Sequence, residues 1–390
     1  VYSGRGTAEA FESSIREGLR AYDKAGMRAA YAIGMHEQSH LVWGAEEGFL
    51  ASLPADARKA AAAWLPSSDS LSPDDFFAIF ARLWQEYRTH SRIDLWFGPP
   101  GPQWVSADSL ARIAALAEEY DTGIQTHLLE SFYERLQGRR AYGRPTLLHL
   151  RDLGVLSPRI SFAHGVWLTE EEIATAAESG AHVSHNPSSN LRLRAGIAPL
   201  NAMRAAGLNV ALGMDGTTLN DDGDMFTEMR LALNLHRTTW LDGPAPGVAD
   251  IWQLATAGGA RLLQAEGRLG RLAPGYAADL VLLRLQRILW PWVAPEADPR
   301  LLLLTRATAR DVDTVYVGGE VVLQDGKPTR IDMVEAGEAL AETLAATSFP
   351  EDAARRVQAL LPHIVAYYKS WEHAETRDEL EPYSAYNSRR

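Results

Sequence analysis

Apolar and polar positions along the first two thirds of the chain follow two alternating periods. The segment 7–25 places apolar side chains at helical spacing and ends at a glycine, whereas the segment 28–35 is apolar without that spacing. The first pattern predicts a helix and the second predicts a strand. The predicted helices are 7–25, 72–90, 106–120, 145–153, 169–180, 198–206 and 225–236, and the predicted strands are 28–35, 93–97, 123–127, 159–164, 181–185 and 209–214. This alternation indicates a parallel sheet.

The pattern changes after residue 266. The segments 269–285 and 313–325 are rich in valine, leucine and glycine and include a tight turn at 317–320, which predicts short antiparallel strands in a separate layer. Two helical segments, 333–345 and 350–371, follow, and a polar tail begins after Glu372. We therefore expect an α/β region over 1–266, a β layer over 267–330, and helices with a tail over 331–390.

Histidine, asparagine and carboxylate side chains recur where the predicted strands end. They are His127, Glu130, His164, His185, Asn186 and Asp215. In a barrel of parallel strands the carboxyl ends meet at one mouth, so these side chains are expected to lie together. Imidazole and carboxylate groups gathered in this way predict a hydrolytic metal centre.

Composition narrows the chemistry of that centre. The chain of 390 residues contains no cysteine, so a bound metal would be held by imidazole and carboxylate, which suit zinc, iron or manganese. A net charge of -12 argues against a nucleic-acid partner, and no apolar run is long enough to span a bilayer. We expect a cytoplasmic protein without a membrane partner that forms a homo-oligomer, a dimer.

Several motifs together resemble the amidohydrolase superfamily, in the branch of guanine, cytosine and S-adenosylhomocysteine-type deaminases and triazine hydrolases (chlorohydrolases). The motifs are Thr126-His127 with Glu130, Ala163-His164-Gly165, Ser184-His185-Asn186-Pro187, Gly213-Met214-Asp215-Gly216, and Ala278-Asp279-Leu280. The resemblance implies a TIM-like (β/α)8 barrel with a small β-sandwich built from both chain ends. It also implies an enzyme that hydrolyses C–N bonds other than peptide bonds, in cyclic amidines.

The resemblance also implies a role for each matching residue. His127 and Asp215 would bind one divalent metal, zinc or else iron, and Asp215 would take a proton from the metal-bound water. The resulting hydroxide would attack the ring of an amino-substituted heterocycle, such as a purine, pyrimidine, pterin or triazine. Glu130 would pass a proton to a ring nitrogen, and His164 would stabilise the charge that develops. Taken singly, His127 or Asp215 could instead be an ordinary strand-end or turn residue.

The sequence departs from the family pattern in one respect. A His-x-His pair normally ends the first barrel strand, and this chain has no such triplet. The segment 28–35 resembles the third barrel strand, so we expect two strands and half of the sandwich upstream of Val1. Because a barrel without two strands would expose unpaired edges, we interpret the chain as a fragment; a shortened, metal-poor relative is the alternative.

The loops after the predicted strands offer candidate substrate contacts. His36 and Gln38 follow one strand, and Gln103 and Trp104 follow the next, where an amide and an aromatic ring could hold a flat heterocycle. Loop polarity is the alternative for the first pair. His185 and Asn186 are further candidates. For the last two, turn chemistry at an Asn-Pro pair is an equally good explanation.

Other interpretations remain open or fail on context. His36-Glu37-Gln38-Ser39-His40 matches the spacing of zinc peptidases, but it follows a predicted strand and not a helix. The acidic segment 220–224 lacks the ligand spacing of a calcium loop and is expected to cap the next helix. The alternative functions are removal of chloride or an alkylamine from a triazine-like ring, and a non-catalytic binding protein on the same scaffold.

Overall fold

Seven parallel strands lie side by side in chain order within the part of the computed structural model that is described, residues 2–4, 6–216, 222–238, 240–347 and 352–374. They are β1 Tyr2–Gly4, β2 Ala29–Met35, β3 Ile93–Phe97, β4 Ile124–Leu128, β5 Ile160–His164, β6 His182–His185 and β7 Asn209–Leu212. Between β4 and β5, for example, the register runs from Ile124 opposite Ile160 to Leu128 opposite His164. All six predicted strands form, with shifts of a few residues at their ends.

The first strand was not expected from the sequence. Tyr2–Gly4 pairs in parallel with Ala29–Met35, with Tyr2 opposite Ile33 and Gly4 opposite Met35. The sequence analysis predicts no strand before 28–35, so it missed this one. A three-residue strand that ends in glycine is too short to show a period, so only its pairing reveals it.

Helices connect successive strands and cover the sheet. They are Ala8–Ala25, Glu46–Ser52, Ala55–Ala61, Pro73–Tyr87, Ala107–Glu119, Phe132–Tyr142, Thr146–Asp152, Glu170–Ser179, Pro187–Arg192, Leu200–Ala205, Met225–Leu235, Val248–Gln253, Gly259–Leu262, Leu285–Leu289, Pro299–Arg306, Met333–Ala346 and Ala353–Ala374. Short 3-10 turns occur at Ala62–Trp64, Pro102–Trp104 and Ala309–Asp311, and a π-helical turn at Leu254–Gly258.

Capping residues set where these helices begin. The Thr169 hydroxyl accepts from the Glu172 backbone N–H, and the Glu172 carboxylate accepts from the Thr169 backbone N–H, which forms a capping box at the start of Glu170–Ser179. Asp224 caps the helix Met225–Leu235 by accepting from the Phe226 N–H, as expected from the acidic segment. Asn220 and Asp221 of that segment lie outside the described residues, as does the tail from residue 375 onward.

The main core lies between the sheet and the outer helices. Phe80 on the helix Pro73–Tyr87 stacks on Phe97 of β3 at a centroid distance of 3.6 Å and an interplanar angle of 7°, and both rings are fully buried. Apolar side chains of the helix Ala8–Ala25, including Phe11, pack into the same cluster. This burial fixes the strands from the outside and leaves their carboxyl ends free to form a site.

A second sheet of antiparallel strands forms the separate layer predicted after residue 266. In the described residues it has the order Lys327–Pro328, Glu320–Gln324, Val312–Val317, Leu280–Leu283. It is joined to the barrel by Arg28, whose guanidinium donates to both carboxylate oxygens of Asp279 at 2.7 and 3.0 Å. The residue limits of the three predicted regions stay predictions. No helix in the described ranges has the length and apolar character needed to cross a membrane.

Candidate active site at the carboxyl ends of the strands

Four of the predicted chemical groups converge at one end of the parallel sheet. His127 lies on β4, Glu130 two residues beyond that strand, His164 at the end of β5, and Asp215 three residues beyond β7. The His164 Nε2 atom is 3.8 Å from Glu130 Oε2 and 3.8 Å from Asp215 Oδ2. The rings of His127 and His164 stack at 5.4 Å between centroids. The strand-end pattern in the sequence thus corresponds to a real cluster in space.

The backbone at this cluster adopts a conformation that side-chain-bearing residues rarely take. The φ angle is 75° at His164, 64° at Asp215 and 51° at Leu129. A positive φ costs free energy for residues other than glycine, and such residues concentrate at functional sites. At His164 and Asp215 the chain turns out of its strand next to the shared mouth, whereas the Leu129 side chain packs in the main core.

Hydrogen bonds fix the two imidazoles. His127 donates from Nδ1 to the Pro100 carbonyl oxygen at 2.6 Å, which leaves its Nε2 with a lone pair. His164 donates from Nδ1 to Asn190 Oδ1 at 2.8 Å, so its Nε2 is likewise an acceptor, and this is the atom nearest the two carboxylates. Each ring is therefore held in a single tautomer.

The carboxylate of Asp215 is also held by two donors. The Ser189 hydroxyl donates to Oδ2 at 2.7 Å, and the Gly216 backbone N–H donates to Oδ1 at 2.8 Å. Gly213, just before it, leaves room for the Asn186 amide, because a Cβ at this position would lie 2.3 Å from Asn186 Oδ1. Any larger residue at that point would require the Asn186 and Ser184 side chains to move.

Ser189 and Asn190 were not among the candidate site residues proposed from the sequence. Both lie on the short helix Pro187–Arg192 that follows β6, and both are almost completely buried. Asn186, Ser189 and Asn190 are spaced i, i+3 and i+4, which puts three polar side chains on one helical face. This helical spacing is visible in the sequence and could have identified Ser189 and Asn190, but a search limited to the ends of predicted strands does not include it.

Burial shifts the proton equilibria of these groups. Removal from water lowers the pKa of His127, and the neighbouring His164 lowers it further; burial also lowers the pKa of His164. Burial raises the pKa of Glu130, although the neighbouring His127 opposes this shift. Both imidazoles are therefore neutral at pH 7, and the protonated form of Glu130 is more accessible than that of an exposed glutamate.

A cavity of about 470 Å³ opens beside His127 and Glu130. This is within the range of pockets that hold small molecules. Aromatic rings form its other end: His36 stacks on His40 at 4.8 Å, and Trp104 meets the edge of Trp43 at 5.7 Å. The remaining lining residues are Ser39, Leu41, Pro100 and Glu134. The predicted contacts His36 and Trp104 both line this cavity.

The two glutamines differ in their surroundings. Gln38 uses its side-chain amide on the backbone, where Nε2 donates to the carbonyl oxygens of Gln103 and Val105 at 3.4 and 3.3 Å. Gln103 is 4% exposed, and its Nε2 is buried without a hydrogen-bond partner. A buried donor without a partner is costly, and a ligand can supply the missing acceptor. Gln103 thus has an unused buried donor, whereas the Gln38 amide is bonded to the backbone, and substrate contact by either glutamine stays a prediction.

His185 and Asn186 lie beneath the cluster. His185 is buried, and its Nε2 is 2.9 Å from the Nε2 of His236, so the two imidazoles share one proton in that contact. Burial lowers the pKa of His236 to about 4. Asn186 has its amide nitrogen 3.5 Å from His164 Nδ1, and its Oδ1 accepts from Ser184. Substrate contact by either residue stays a prediction.

The peptidase-like segment does not form a helix. His36 to His40 follow β2 as a loop, and the Glu37 carboxylate accepts from the backbone N–H and the hydroxyl of Ser106 at 3.0 Å. The loop interpretation of this segment is therefore confirmed.

Residues 2–322 match the sequence model of the amidohydrolase family. The chain belongs to this family. The superfamily resemblance, drawn from short motifs, is confirmed over most of the chain, together with the TIM-barrel-type fold.

Relatives of this amidohydrolase include proteins with named activities. The 5-methylthioadenosine/S-adenosylhomocysteine deaminase of Nitratidesulfovibrio vulgaris (strain DSM 19637 / Miyazaki F) is 37% identical over 267 residues, which are 68% of this chain and 60% of the relative. The structure of an adenosine deaminase from Xanthomonas campestris with bound zinc matches with a TM-score of 0.64 and 29% identity, covering 80% of this chain and 64% of that one. The structure of atrazine chlorohydrolase from Arthrobacter aurescens TC1 complexed with zinc matches with a TM-score of 0.69 and 25% identity, covering 85% and 69%. The chain thus spans about 60% of the length of the first curated relative.

The donor groups of this amidohydrolase suit a divalent metal in their chemistry. Neutral imidazole and carboxylate are the ligands that zinc takes in cysteine-free sites, and the Nδ1 bond of His127 to a carbonyl is the usual support for a ligating histidine. Over the described ranges, no three histidine, aspartate or glutamate side chains are arranged as a ligand set. By their chemistry, His127 and Asp215 fit as two ligands of such an ion. The described residues do not provide the further ligands that would complete its coordination.

Proposed function

We propose that this amidohydrolase is a metal-dependent aminohydrolase that removes the amino group of an amino-substituted nitrogen heterocycle. The observation that carries this proposal is the placement of one neutral imidazole nitrogen, His164 Nε2, at 3.8 Å from both the Glu130 and the Asp215 carboxylates. Replacing an amine by water requires a group that takes a proton from water and another that gives one to the ring. The cluster contains both, at one end of a cavity of suitable size.

The names of the relatives support adenosine-type nucleosides as the first substrates to test. A relative in Nitratidesulfovibrio vulgaris and a structural neighbour from Xanthomonas campestris are named as deaminases of adenosine or its derivatives. The cavity supports this choice, because its volume of about 470 Å³ is within the range of pockets that hold small molecules and aromatic rings line it.

Each residue has a separate task in the proposed reaction. Glu130, whose pKa burial raises, gives a proton to the ring nitrogen adjacent to the carbon under attack. Asp215, oriented by Ser189 and Gly216, takes the proton of the attacking water. His164 accepts a hydrogen bond from that water through Nε2, because Asn190 holds its proton on Nδ1. Asp215 then passes the proton taken from water to the amino group, which leaves as ammonia, and the new hydroxyl returns its proton to Glu130 as the carbonyl forms.

We propose zinc as the metal, with His127 and Asp215 as ligands and iron as the alternative. When bound, a divalent ion lowers the pKa of water toward about 7 and supplies a nucleophile at neutral pH. Two of the structural neighbours contain zinc, which supports this choice. A cytoplasmic location and a homodimer stay predictions, which cell fractionation and analytical ultracentrifugation would test.

The test is ammonia release by the purified chain supplied with one equivalent of zinc or iron. We expect release from adenosine or a 5′-substituted adenosine, together with retained metal after gel filtration. A chain that keeps its metal but releases no ammonia from purine, pyrimidine, pterin and triazine substrates would contradict the proposed activity. A chain that binds no metal would instead favour the non-catalytic binding alternative.

Removal of chloride or an alkylamine from a triazine ring is the second candidate. The structural match to an atrazine chlorohydrolase motivates it. An amine must gain a proton to leave, whereas chloride departs without one, so a cluster that contains proton-transfer groups favours amine release. Chloride and ammonia measured in the same assay with a chlorinated aminotriazine would separate the two reactions.

A further inference from the structure

The last described helix, Ala353–Ala374, lies against the loop that forms the aromatic end of the cavity. Leu360 of this helix packs with Val42, Phe49 and Leu53 in an apolar cluster distinct from the main core. Tyr367 and Tyr368 join the same cluster from the helix side. Residues more than 300 positions apart in sequence therefore form one wall beside the proposed substrate site.

Both backbone polar groups of Trp43 are bonded to this helix. The Trp43 N–H donates to the Tyr368 hydroxyl oxygen at 3.0 Å, and the Tyr367 hydroxyl donates to the Trp43 carbonyl oxygen at 2.8 Å. The ring of Trp43 also meets the ring of Tyr368 edge to face at 5.5 Å. Because Trp43 lies in an irregular loop, these bonds replace the ladder that a strand or helix would provide.

The same helix contacts the opposite side of the site. Trp371 is 2% exposed, and the Arg140 guanidinium lies over its ring at 4.9 Å. The Tyr133 hydroxyl donates to the Glu372 carboxylate. Arg140 and Tyr133 belong to the helix Phe132–Tyr142, which begins two residues after Glu130. The C-terminal helix thus bridges the aromatic loop and the element that follows the proposed proton donor.

We propose that Tyr367 and Tyr368 are positioning residues that hold Trp43 in the cavity wall and thereby set which heterocycles bind. This inference depends on the proposed function for its substrate. The amino-bearing edge of the ring must face Glu130, so a substituent on the other side of the ring points toward Trp43 and Trp104. Fixing Trp43 therefore favours a heterocycle that carries a substituent, such as a nucleoside, over the free base.

The decisive variant is the double substitution Tyr367→Phe with Tyr368→Phe. It removes both hydroxyls that bond to Trp43 and keeps both rings in the apolar cluster. A matched control is Tyr316→Phe, which removes one hydroxyl in the antiparallel sheet. Amide hydrogen exchange of residues 36–44 reports on the loop, and KM and kcat for adenosine and adenine report on the site.

We expect the double variant to exchange amides in 36–44 about tenfold faster or more, because two hydrogen bonds are lost. We expect KM for adenosine to rise about five- to tenfold with kcat within about twofold, and KM for adenine to change less. The control should resemble the unmodified chain in every measurement. Unchanged exchange, or faster exchange with both KM values unchanged, would overturn the inference.

Failure of the proposed function is distinguishable from failure of this inference. If the unmodified chain releases no ammonia from either compound, the proposed function fails, and the exchange of residues 36–44 alone decides whether the helix holds the loop. Should the double variant melt at a much lower temperature, the single substitution Tyr368→Phe, which keeps the Tyr367 bond, is expected to show part of the same change in exchange and KM.

Discussion

The two ends of the cavity are built in different ways. At one end, His127 lines the cavity next to His164 and Asp215, and all three lie on or just after parallel strands. The two imidazoles donate to Pro100 and Asn190, and Ser189 donates to Asp215. At the other end, the rings of Trp43 and Trp104 contact each other edge to face. The helix Ala353–Ala374 holds the loop that contains Trp43 through two hydrogen bonds.

We interpret this difference as a division of tasks, in which the strand ends carry out the reaction and the aromatic loops select the substrate. Proton transfer needs atoms held within a fraction of an ångström, which strands anchored in a packed core can provide. Recognition of a substrate tolerates, and over evolution exploits, loops that can vary without unfolding the barrel. We therefore expect changes at the strand ends to alter turnover and changes at the aromatic end to alter KM. The following predictions test this division, from the largest expected effect to the smallest.

Replacing Glu130 by glutamine should give the largest loss. The amide keeps the shape of the side chain but cannot give the proton, so turnover should fall by about 100-fold or more. Metal content and melting temperature should not change, since Glu130 is not proposed as a ligand. The measurements are steady-state kinetics and elemental analysis. The exposed Glu47→Gln serves as control, and undiminished turnover in the Glu130 variant would exclude the proton-donor role.

Substituting Asn190 by alanine should reduce kcat by about 10- to 100-fold, as expected when the partner that orients a catalytic histidine is lost. Without the acceptor Oδ1, the proton of His164 is no longer confined to Nδ1. Asn190→Asp keeps an acceptor at this position and should recover part of the loss. An equal decrease for both variants would indicate a packing role only.

Trp104→Ala should act on binding. Loss of an aromatic face against a flat ring costs about 1–3 kcal/mol, so KM should rise about tenfold while kcat stays within about twofold. Trp104→Phe should behave nearly as the unmodified chain. The exposed Trp240→Ala is the control for removal of an indole. A fall in kcat with unchanged KM would break the proposed division between the two ends.

Gln103→Met should have the smallest effect. It tests whether the unpartnered side-chain amide of Gln103 contacts the substrate or has no role in the site. If Nε2 awaits a substrate acceptor, KM should rise about fivefold, and the melting temperature should stay the same or increase because a buried donor without a partner is gone. Gln38→Met, which removes bonds to the backbone, should lower the melting temperature instead. An unchanged KM for the Gln103 variant would remove this residue from the site.

The order of the elements and the placement of the reacting groups could be read from the sequence. Strand and helix periods are local properties, and side chains at the ends of parallel strands must meet once the sheet forms. This is why the sequence alone predicts that His127, Glu130, His164 and Asp215 lie together. The resemblance supplied the barrel closure and the individual roles, neither of which the periods contain.

Contacts between distant segments were decided only by the tertiary structure. The short strand Tyr2–Gly4 exists because it pairs with Ala29–Met35, and His185 turns to His236 because burial leaves it no water to bond. The hold of Tyr367 and Tyr368 on Trp43 joins residues more than 300 positions apart. Local sequence patterns fix periods and turn signals, whereas such pairings depend on which surfaces the packed core brings together.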